Sequence, residues 1–131
     1  MLTFLKNHFS VSDSRGEMIG LINQGNWQEL NLFKTSSNQL RGSHYHKFTD
    51  ELFIILKGKI KIQLSKVTEK GELIGKTKCI NVSKGDVFII PKLTYHIFEI
   101  FETTEWINAL SIRLDKKNPD MHSLDKNNFP K

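Results

Sequence analysis

Short runs of alternating hydrophobic and polar residues dominate this chain. In residues 59–64, Ile60, Ile62 and Leu64 alternate with lysine and glutamine. Successive side chains of a β-strand point to opposite faces, so this run predicts a strand with one buried and one exposed face. Apolar residues at helical spacing are scarce. The pattern therefore predicts an all-β protein.

Other runs rich in β-branched and aromatic residues predict further strands. They are separated by turn signals, such as D-S-R-G at residues 13–16 and K-G-D at residues 84–86. Many short strands at regular spacing are typical of a sandwich or a barrel, and the pattern alone does not choose between the two. Besides 59–64, the predicted strands are residues 27–33, 51–56, 78–82, 87–90, 96–101 and 106–114.

Three histidines and a glutamate stand close to predicted strand ends. His44 and His46 are two residues apart, which places both imidazoles on one face of an extended segment. Glu51 begins the next predicted strand, and His96 begins a later one. Two histidines, a carboxylate and a distant histidine are a common ligand set for Zn, Fe, Mn, Ni or Co. The alternative is three ordinary histidines at a barrel rim, but their joint placement around the acid favours a metal site.

Two motifs in the chain resemble those of the cupin superfamily. The first is G-S-H-Y-H-K-F-T-D-E at residues 42–51, with a glycine six residues further on, and the second is G-D-V-F-I-I-P-K-L-T-Y-H at residues 85–96. Leu93 and Ile100 depart from the family pattern, which commonly has glycine and asparagine there. The resemblance implies a single-domain cupin, a jelly-roll barrel of double-stranded β-helix type. With 131 residues we expect one barrel over residues 1–115 and a polar tail over residues 116–131.

A narrower resemblance points to cupins that modify nucleotide-linked sugars. D-S-R-G at residues 13–16 and R-G-S-H-Y-H-K at residues 41–47 are similar to TDP-sugar ketoisomerases and rhamnose-pathway epimerases. Residues 108–122, with L-D-K-K-N-P-D at 114–120, resemble the end of the cupin domain in reductases of capsular-polysaccharide synthesis. The ketoisomerases typically carry glutamine where this chain has Glu51, which favours a metal here. The resemblance implies an epimerase or isomerase of a keto-deoxysugar nucleotide.

Removal of a proton next to a ketone needs a base and a group that stabilises the enolate oxygen. A divalent metal (Zn, Mn, Ni or Fe) serves the oxygen as a Lewis acid. The candidate bases are His44, His46 and His96, either free or released from the metal, and Tyr95 is the candidate acid on the far face. If all three histidines hold the metal, Tyr45 or Tyr95 has to be the base.

Four further residues are candidates for substrate binding. Arg41 and Lys47 can contact the diphosphate, although both also fit a plain surface role, which strand alternation favours for Lys47. Phe53 and Phe98 fit the apolar lining of a pocket, and they fit barrel core as well.

Two other function classes remain open. The same ligands with two open positions suit Fe(II) and oxygen, as in a dioxygenase of a small molecule. A non-catalytic cupin that binds a sugar or another ligand is the third hypothesis. Metal identity, oxygen consumption and turnover of sugar nucleotides distinguish the three.

Charge and composition bear on whether the chain binds nucleic acid, a membrane or a second copy of itself. The formal net charge is +5, but the basic residues are mostly lysines spread along the chain, whereas nucleic-acid surfaces usually cluster arginine and lysine. No long apolar run or signal peptide is present in the sequence, so we expect a cytoplasmic protein without membrane contact. Cys79 is the single cysteine and is expected to be a buried thiol. Pairing would close the exposed edge strands of a lone barrel, so we expect a homodimer.

Overall fold

The computed structural model of this protein describes residues 1–124. The regular secondary structure in that range consists of eleven β-strands and no helix, which confirms the all-β prediction. No helix among the described residues is long and apolar enough to cross a membrane. The strands are β1 (Thr3–Phe4), β2 (Phe9–Asp13), β3 (Gly16–Gly20), β4 (Glu29–Thr35), β5 (Gln39–His44), β6 (Glu51–Lys57), β7 (Lys59–Val67), β8 (Leu73–Ser83), β9 (Val87–Ile90), β10 (Thr94–Ile100) and β11 (Thr104–Leu110).

Two antiparallel sheets enclose the hydrophobic core. One has the order β1-β9-β6-β11-β4 and the other the order β5-β10-β7-β8. The predicted inward residues Ile60, Ile62 and Leu64 are at most 1% exposed, so the alternation in residues 59–64 is confirmed. Burial of such side chains contributes about 1.5–3 kcal/mol each, which fixes the register of β7.

The strand predictions differ from the structure at several boundaries. The predicted strand 27–33 is β4, two residues later, and the predicted strand 106–114 is β11, which ends at Leu110. The hydrophobic pattern did not predict β5 (Gln39–His44), and only its end was expected to be extended, from the spacing of His44 and His46. Cys79 lies exposed on β8, not buried as predicted, because it pairs with Gln63 on the outer face of the sheet, whereas its neighbour Ile80 packs against the core.

The hairpin of β2 and β3 stands apart from both sheets. In the described part of the chain its two strands pair only with each other, and every strand residue except Gly20 is exposed. Val11 faces Met18 across the hairpin, so one face is apolar, while Ser10 and Ser12 lie on the other face. An isolated two-stranded hairpin is marginally stable in water, and this one leaves its apolar face uncovered.

The first part of the predicted tail lies against the barrel. His122 forms a two-way backbone bridge with Tyr45 at 2.9 and 3.0 Å. Leu124 is buried in a cluster that we call the tyrosine cluster, formed with Tyr45, Val67 and Tyr95. Residues 125–131 of the predicted tail lie outside the described residues.

Candidate active site

Three strands and one loop bring the four predicted ligands together. His44 is the last residue of β5, Glu51 is the first of β6, and His96 lies on β10. His46 lies in residues 45–50, which we call the His46 loop, so strand alternation does not orient its ring as predicted. Nevertheless the His44 and His46 ring centroids are only 4.9 Å apart.

Antiparallel pairing of β5 with β10 sets His44 directly opposite His96, and their ring centroids are 4.8 Å apart. Gly42 makes this possible. Its φ is +90°, and a Cβ there would lie 2.7 Å from the carbonyl oxygen of His96, so any larger residue would push the two strands apart.

The carboxylate of Glu51 lies at the centre of the cluster. Its Oε1 is 3.4 Å from Nε2 of His96 and 3.9 Å from Nε2 of His44, and it also contacts Nε2 of His46. The Nδ2 of Asn108 donates a hydrogen bond to the other carboxylate oxygen at 2.8 Å. The four donor atoms lie within 4.8 Å of one another.

Each imidazole is held through its Nδ1 by a backbone carbonyl. These are the carbonyls of Gly42 for His44 at 3.1 Å, of Asp120 for His46 and of Thr94 for His96 at 3.0 Å. A carbonyl only accepts, so each Nδ1 carries the hydrogen, which leaves the Nε2 atoms for a metal or a proton. Metal-binding histidines are held in this way, so the donor set fits a divalent cation.

Burial and charge act in opposite directions on these groups. Burial would raise the pKa of Glu51, but interactions of its carboxylate with the three surrounding imidazoles hold that pKa well below its usual value. Burial alone would lower the pKa of His46, and Glu51 beside it raises it. The pKa of His44 is lowered by burial. Glu51 is therefore a carboxylate at neutral pH, the form that a cation requires.

The cluster borders a cavity of about 300 Å³. The predicted residues Arg41, Phe53 and Phe98 line it. The two phenylalanines also belong to the barrel core, so they are at once cavity lining and core residues. The lining residues are Phe33, Arg41, Gly42, His44, Glu51, Phe53, His96, Phe98, Trp106 and Met121.

Two stacked aromatic rings, those of Phe33 and Trp106, form an aromatic wall in the lining of the same cavity. Phe33 stacks on Trp106 with centroids 5.2 Å apart and planes 8° apart. The guanidinium carbon of Arg41 lies 5.3 Å from the Phe33 centroid, and its Nε donates to Oγ1 of Thr35 at 3.2 Å. This cation–π contact and hydrogen bond hold a positive charge at the edge of the cavity.

Two residues predicted for the site, Tyr95 and Lys47, do not line the cavity. Tyr95 precedes His96 in β10, so its side chain points to the opposite face and is buried in the tyrosine cluster. Lys47 does not line the cavity, and its backbone N–H bonds to Asp120. Sequence reasoning missed Phe33, Trp106 and Met121, and it missed Asn108.

The chain resembles known proteins over nearly its whole length. A family model described as polysaccharide biosynthesis C-terminal domain matches residues 11–121. No curated protein matches the chain.

Solved structures share the fold at low sequence identity. The dTDP-4-dehydrorhamnose 3,5-epimerase from Elizabethkingia anophelis is 20% identical with a TM-score of 0.73, covering 96% of this chain and 81% of that one. The sugar 3,4-ketoisomerase QdtA from Thermoanaerobacterium thermosaccharolyticum is 19% identical with a TM-score of 0.69, covering 92% and 85%. CapF, a capsular polysaccharide assembling protein from Staphylococcus aureus, is 21% identical with a TM-score of 0.66, covering 94% of this chain and 34% of CapF. These matches confirm the predicted barrel fold.

Proposed function

The chain belongs to the family of polysaccharide biosynthesis C-terminal domains, and on that premise we propose that it is a metal-binding epimerase or isomerase of a keto-deoxysugar nucleotide. The observation that supports it most is a cavity lined by the imidazoles of His44 and His96, the carboxylate of Glu51, two stacked aromatic rings and the guanidinium of Arg41. His46 completes the donor cluster from outside the cavity lining. Structures of the same fold include a ketoisomerase in complex with TDP-4-keto-6-deoxyglucose.

His46, Glu51 and His96 would hold the metal, with His44 as the fourth donor. Imidazole and carboxylate donors suit Zn, Mn, Ni or Fe. When bound, the metal supplies a Lewis acid for the ketone oxygen of the substrate.

His44 is the histidine best placed to take the proton next to the ketone. It borders the cavity, its side chain is 25% exposed against 3% for His96, and its Nε2 is the farthest of the three from Oε1 of Glu51. Its Nδ1 is already bonded to a carbonyl, so Nε2 receives the proton. His44 is therefore the donor that could act as base, while His46, Glu51 and His96 would hold the metal.

A single base favours the isomerase. One base can move a proton between neighbouring carbons on one face of the sugar, whereas inversion of a carbon needs a donor on the opposite face. The predicted donor, Tyr95, lies outside the cavity. Among residues 1–124, the titratable groups that line the cavity are Arg41, His44, Glu51 and His96.

Arg41 and the aromatic wall suit the nucleotide half of the substrate. A guanidinium matches the oxygens of a diphosphate, and the rings of Phe33 and Trp106 offer an apolar surface next to it. The net charge of +5 also favours the approach of an anionic substrate.

Incubation with TDP-4-keto-6-deoxyglucose in D2O tests the function. We expect one solvent deuterium to enter the sugar next to the ketone, and NMR shows whether the ketone moves or a carbon inverts. Arg41→Ala should raise KM roughly 10–100-fold, because hydrogen bonds to charged groups contribute about 1.5–3 kcal/mol.

Arg113→Ala is the matched control, because it removes the same charge from an exposed residue that does not line the cavity. Nucleotide binding with neither deuterium uptake nor movement of the ketone would indicate a binding module instead. Stoichiometric iron with oxygen consumption would indicate an oxygenase.

We also propose that two copies of the chain pair, with the hairpin of one copy laid on β4 of the other. β4 has a neighbour on one side only, and its outward Leu30 and Leu32 are 71% and 61% exposed. The apolar hairpin face that carries Val11 and Met18 is equally uncovered. A two-fold axis would form this contact twice and would cover both apolar surfaces.

Sedimentation velocity tests this pairing. The wild-type chain is expected to sediment as a dimer, and the double variant Val11→Lys/Met18→Lys as a monomer, because two charges would be buried in the contact. Ser10→Lys/Ser12→Lys alters the opposite face and should leave the dimer intact. A monomeric wild type, or equal behaviour of both variants, would rule out this interface.

A further inference from the structure

We propose that residues 120–124, here called the strap, preset the His46 loop for metal binding, with Asp120 as the positioning residue. This inference rests on the proposed metal site. The strap belongs to the segment predicted as a polar tail, far from the ligands in sequence, and nothing in the cupin motifs points to it.

The carboxylate of Asp120 accepts hydrogen bonds from the backbone amides of the His46 loop. Its Oδ1 accepts the backbone N–H of Lys47 at 2.9 Å, and its Oδ2 accepts those of Phe48 and Thr49 at 2.8 and 3.0 Å. The hydroxyl of Thr49 donates to Oδ2 as well, at 2.9 Å. One side chain therefore satisfies three successive amides, and charge-assisted bonds of this kind are the stronger ones.

The backbone of the same residue orients a ligand. The carbonyl oxygen of Asp120 accepts the hydrogen of His46 Nδ1. This bond fixes the tautomer and the ring plane, so that Nε2 points to Glu51. Asp120 thus makes two kinds of contact with the loop that joins His46 to Glu51. Its carboxylate binds the loop amides, and its carbonyl binds the His46 ring.

Other contacts keep the strap in place. The backbone of His122 pairs with Tyr45, and Nε2 of His122 lies 2.9 Å from Oδ1 of Asp120. Leu124 is 4% exposed in the tyrosine cluster. The strap is therefore anchored to Tyr45, the residue before His46, through its backbone and through the cluster that contains its side chain.

The barrel does not depend on Asp120 in the same way. The main core cluster contains no strap residue. The His46 loop also keeps bonds elsewhere, from the Leu93 N–H to the carbonyl of His46 at 2.7 Å and from the Asp50 N–H to Oγ of Ser111 at 2.8 Å. Loss of the Asp120 carboxylate should therefore loosen the loop while the barrel stays folded.

Zn²⁺ affinity of the metal-free protein, measured by competition with a chelator, tests the proposal. We expect Asp120→Ala to weaken Zn²⁺ binding about 10–100-fold, the usual cost of losing an outer partner of a metal ligand. Asp120→Asn keeps one good acceptor, so its Zn²⁺ affinity should fall between those of the wild type and Asp120→Ala. Asp115→Ala is the control, because within residues 1–124 the exposed Asp115 accepts a hydrogen bond only from the nearby Lys117 N–H, at 2.9 Å.

Amide exchange of Lys47, Phe48 and Thr49 is the second readout, and it needs no metal. In Asp120→Ala these three amides should exchange faster while those of β7 stay protected. Unchanged Zn²⁺ affinity in a folded Asp120→Ala, or uniform loss of protection, would overturn the positioning role. Absence of Zn²⁺ binding in the wild type would overturn the metal site together with it. If Asp120→Ala does not fold, Asp120→Asn carries the same comparison.

Discussion

Glutamine in place of Glu51 is expected to strip the protein of its metal while the barrel stays folded. Oε1 of Glu51 is the atom on which the Nε2 atoms of all three histidines converge, and it carries the only negative charge in the donor set. Glutamine keeps the shape but removes the charge, and its NH2 group must face either the imidazoles or the NH2 of Asn108. The loss of affinity should exceed the roughly 10–100-fold caused by removing an outer partner.

Metal content by mass spectrometry, after purification without chelator, measures this effect. The wild type should hold nearly one Zn, Mn, Ni or Fe per chain and Glu51→Gln almost none. Glu99→Gln is the control, because Glu99 accepts a hydrogen bond from Gln63 at 2.7 Å on the outer face of its sheet. Full occupancy in Glu51→Gln would contradict the ligand role. No metal in either protein would leave the histidines as bases of a metal-free isomerase.

The strands that bury one face could be predicted, and β5 could not. Residues 59–64 show their alternation because Ile60, Ile62 and Leu64 are core residues. β5 buries almost nothing, since Leu40 is 66% exposed and the strand contains Gly42 in a left-handed conformation. Its place in the fold comes from pairing with β10, which leaves no mark on the hydrophobic pattern.

Leu93 shows how a departure from a motif can keep the motif's conformation. Its φ is +58°, in the left-handed region that favours glycine, the residue common there in cupins. A non-glycine residue held in a sparsely populated region costs about 1–3 kcal/mol. Packing of Leu93 against the tyrosine cluster and its backbone bond to His46 offset that cost.

The cluster of His44, His46, Glu51 and His96 could be predicted from spacing, but the residues that support it could not. The four proposed ligands fall in two short motifs, whereas Asn108 and Asp120 reach Glu51 and His46 from 57 and 74 residues away. Contacts of that range depend on strand order, which no local pattern encodes. Tyr95 is a different case, because alternation from His96 already predicts that the two side chains diverge.

Alanine in place of Trp106 is expected to lower the free energy of unfolding by about 3–5 kcal/mol. Trp106 is 1% exposed, it stacks on Phe33, and its centroid is 5.5 Å from that of Phe98. Its removal would join the cavity to the barrel core, and the neighbouring rings belong to strands that cannot close the gap. Since domains of this kind are stable by only about 5–15 kcal/mol, the loss is a large share.

Urea unfolding of the metal-free protein measures the loss, and Trp27→Ala is the matched control. Trp27 is half-buried and packs against the outer face of the sheet that contains Trp106, and its indole N–H donates to the carbonyl of Gln24 at 3.0 Å. Its truncation should cost about 1–2 kcal/mol, within the ordinary range for single substitutions. An equal loss in both variants would mean that the wall behind the cavity is no more tightly packed than the surface. Because the cavity keeps its aromatic wall only if that packing holds, such a result would also weaken the case for a preformed nucleotide site.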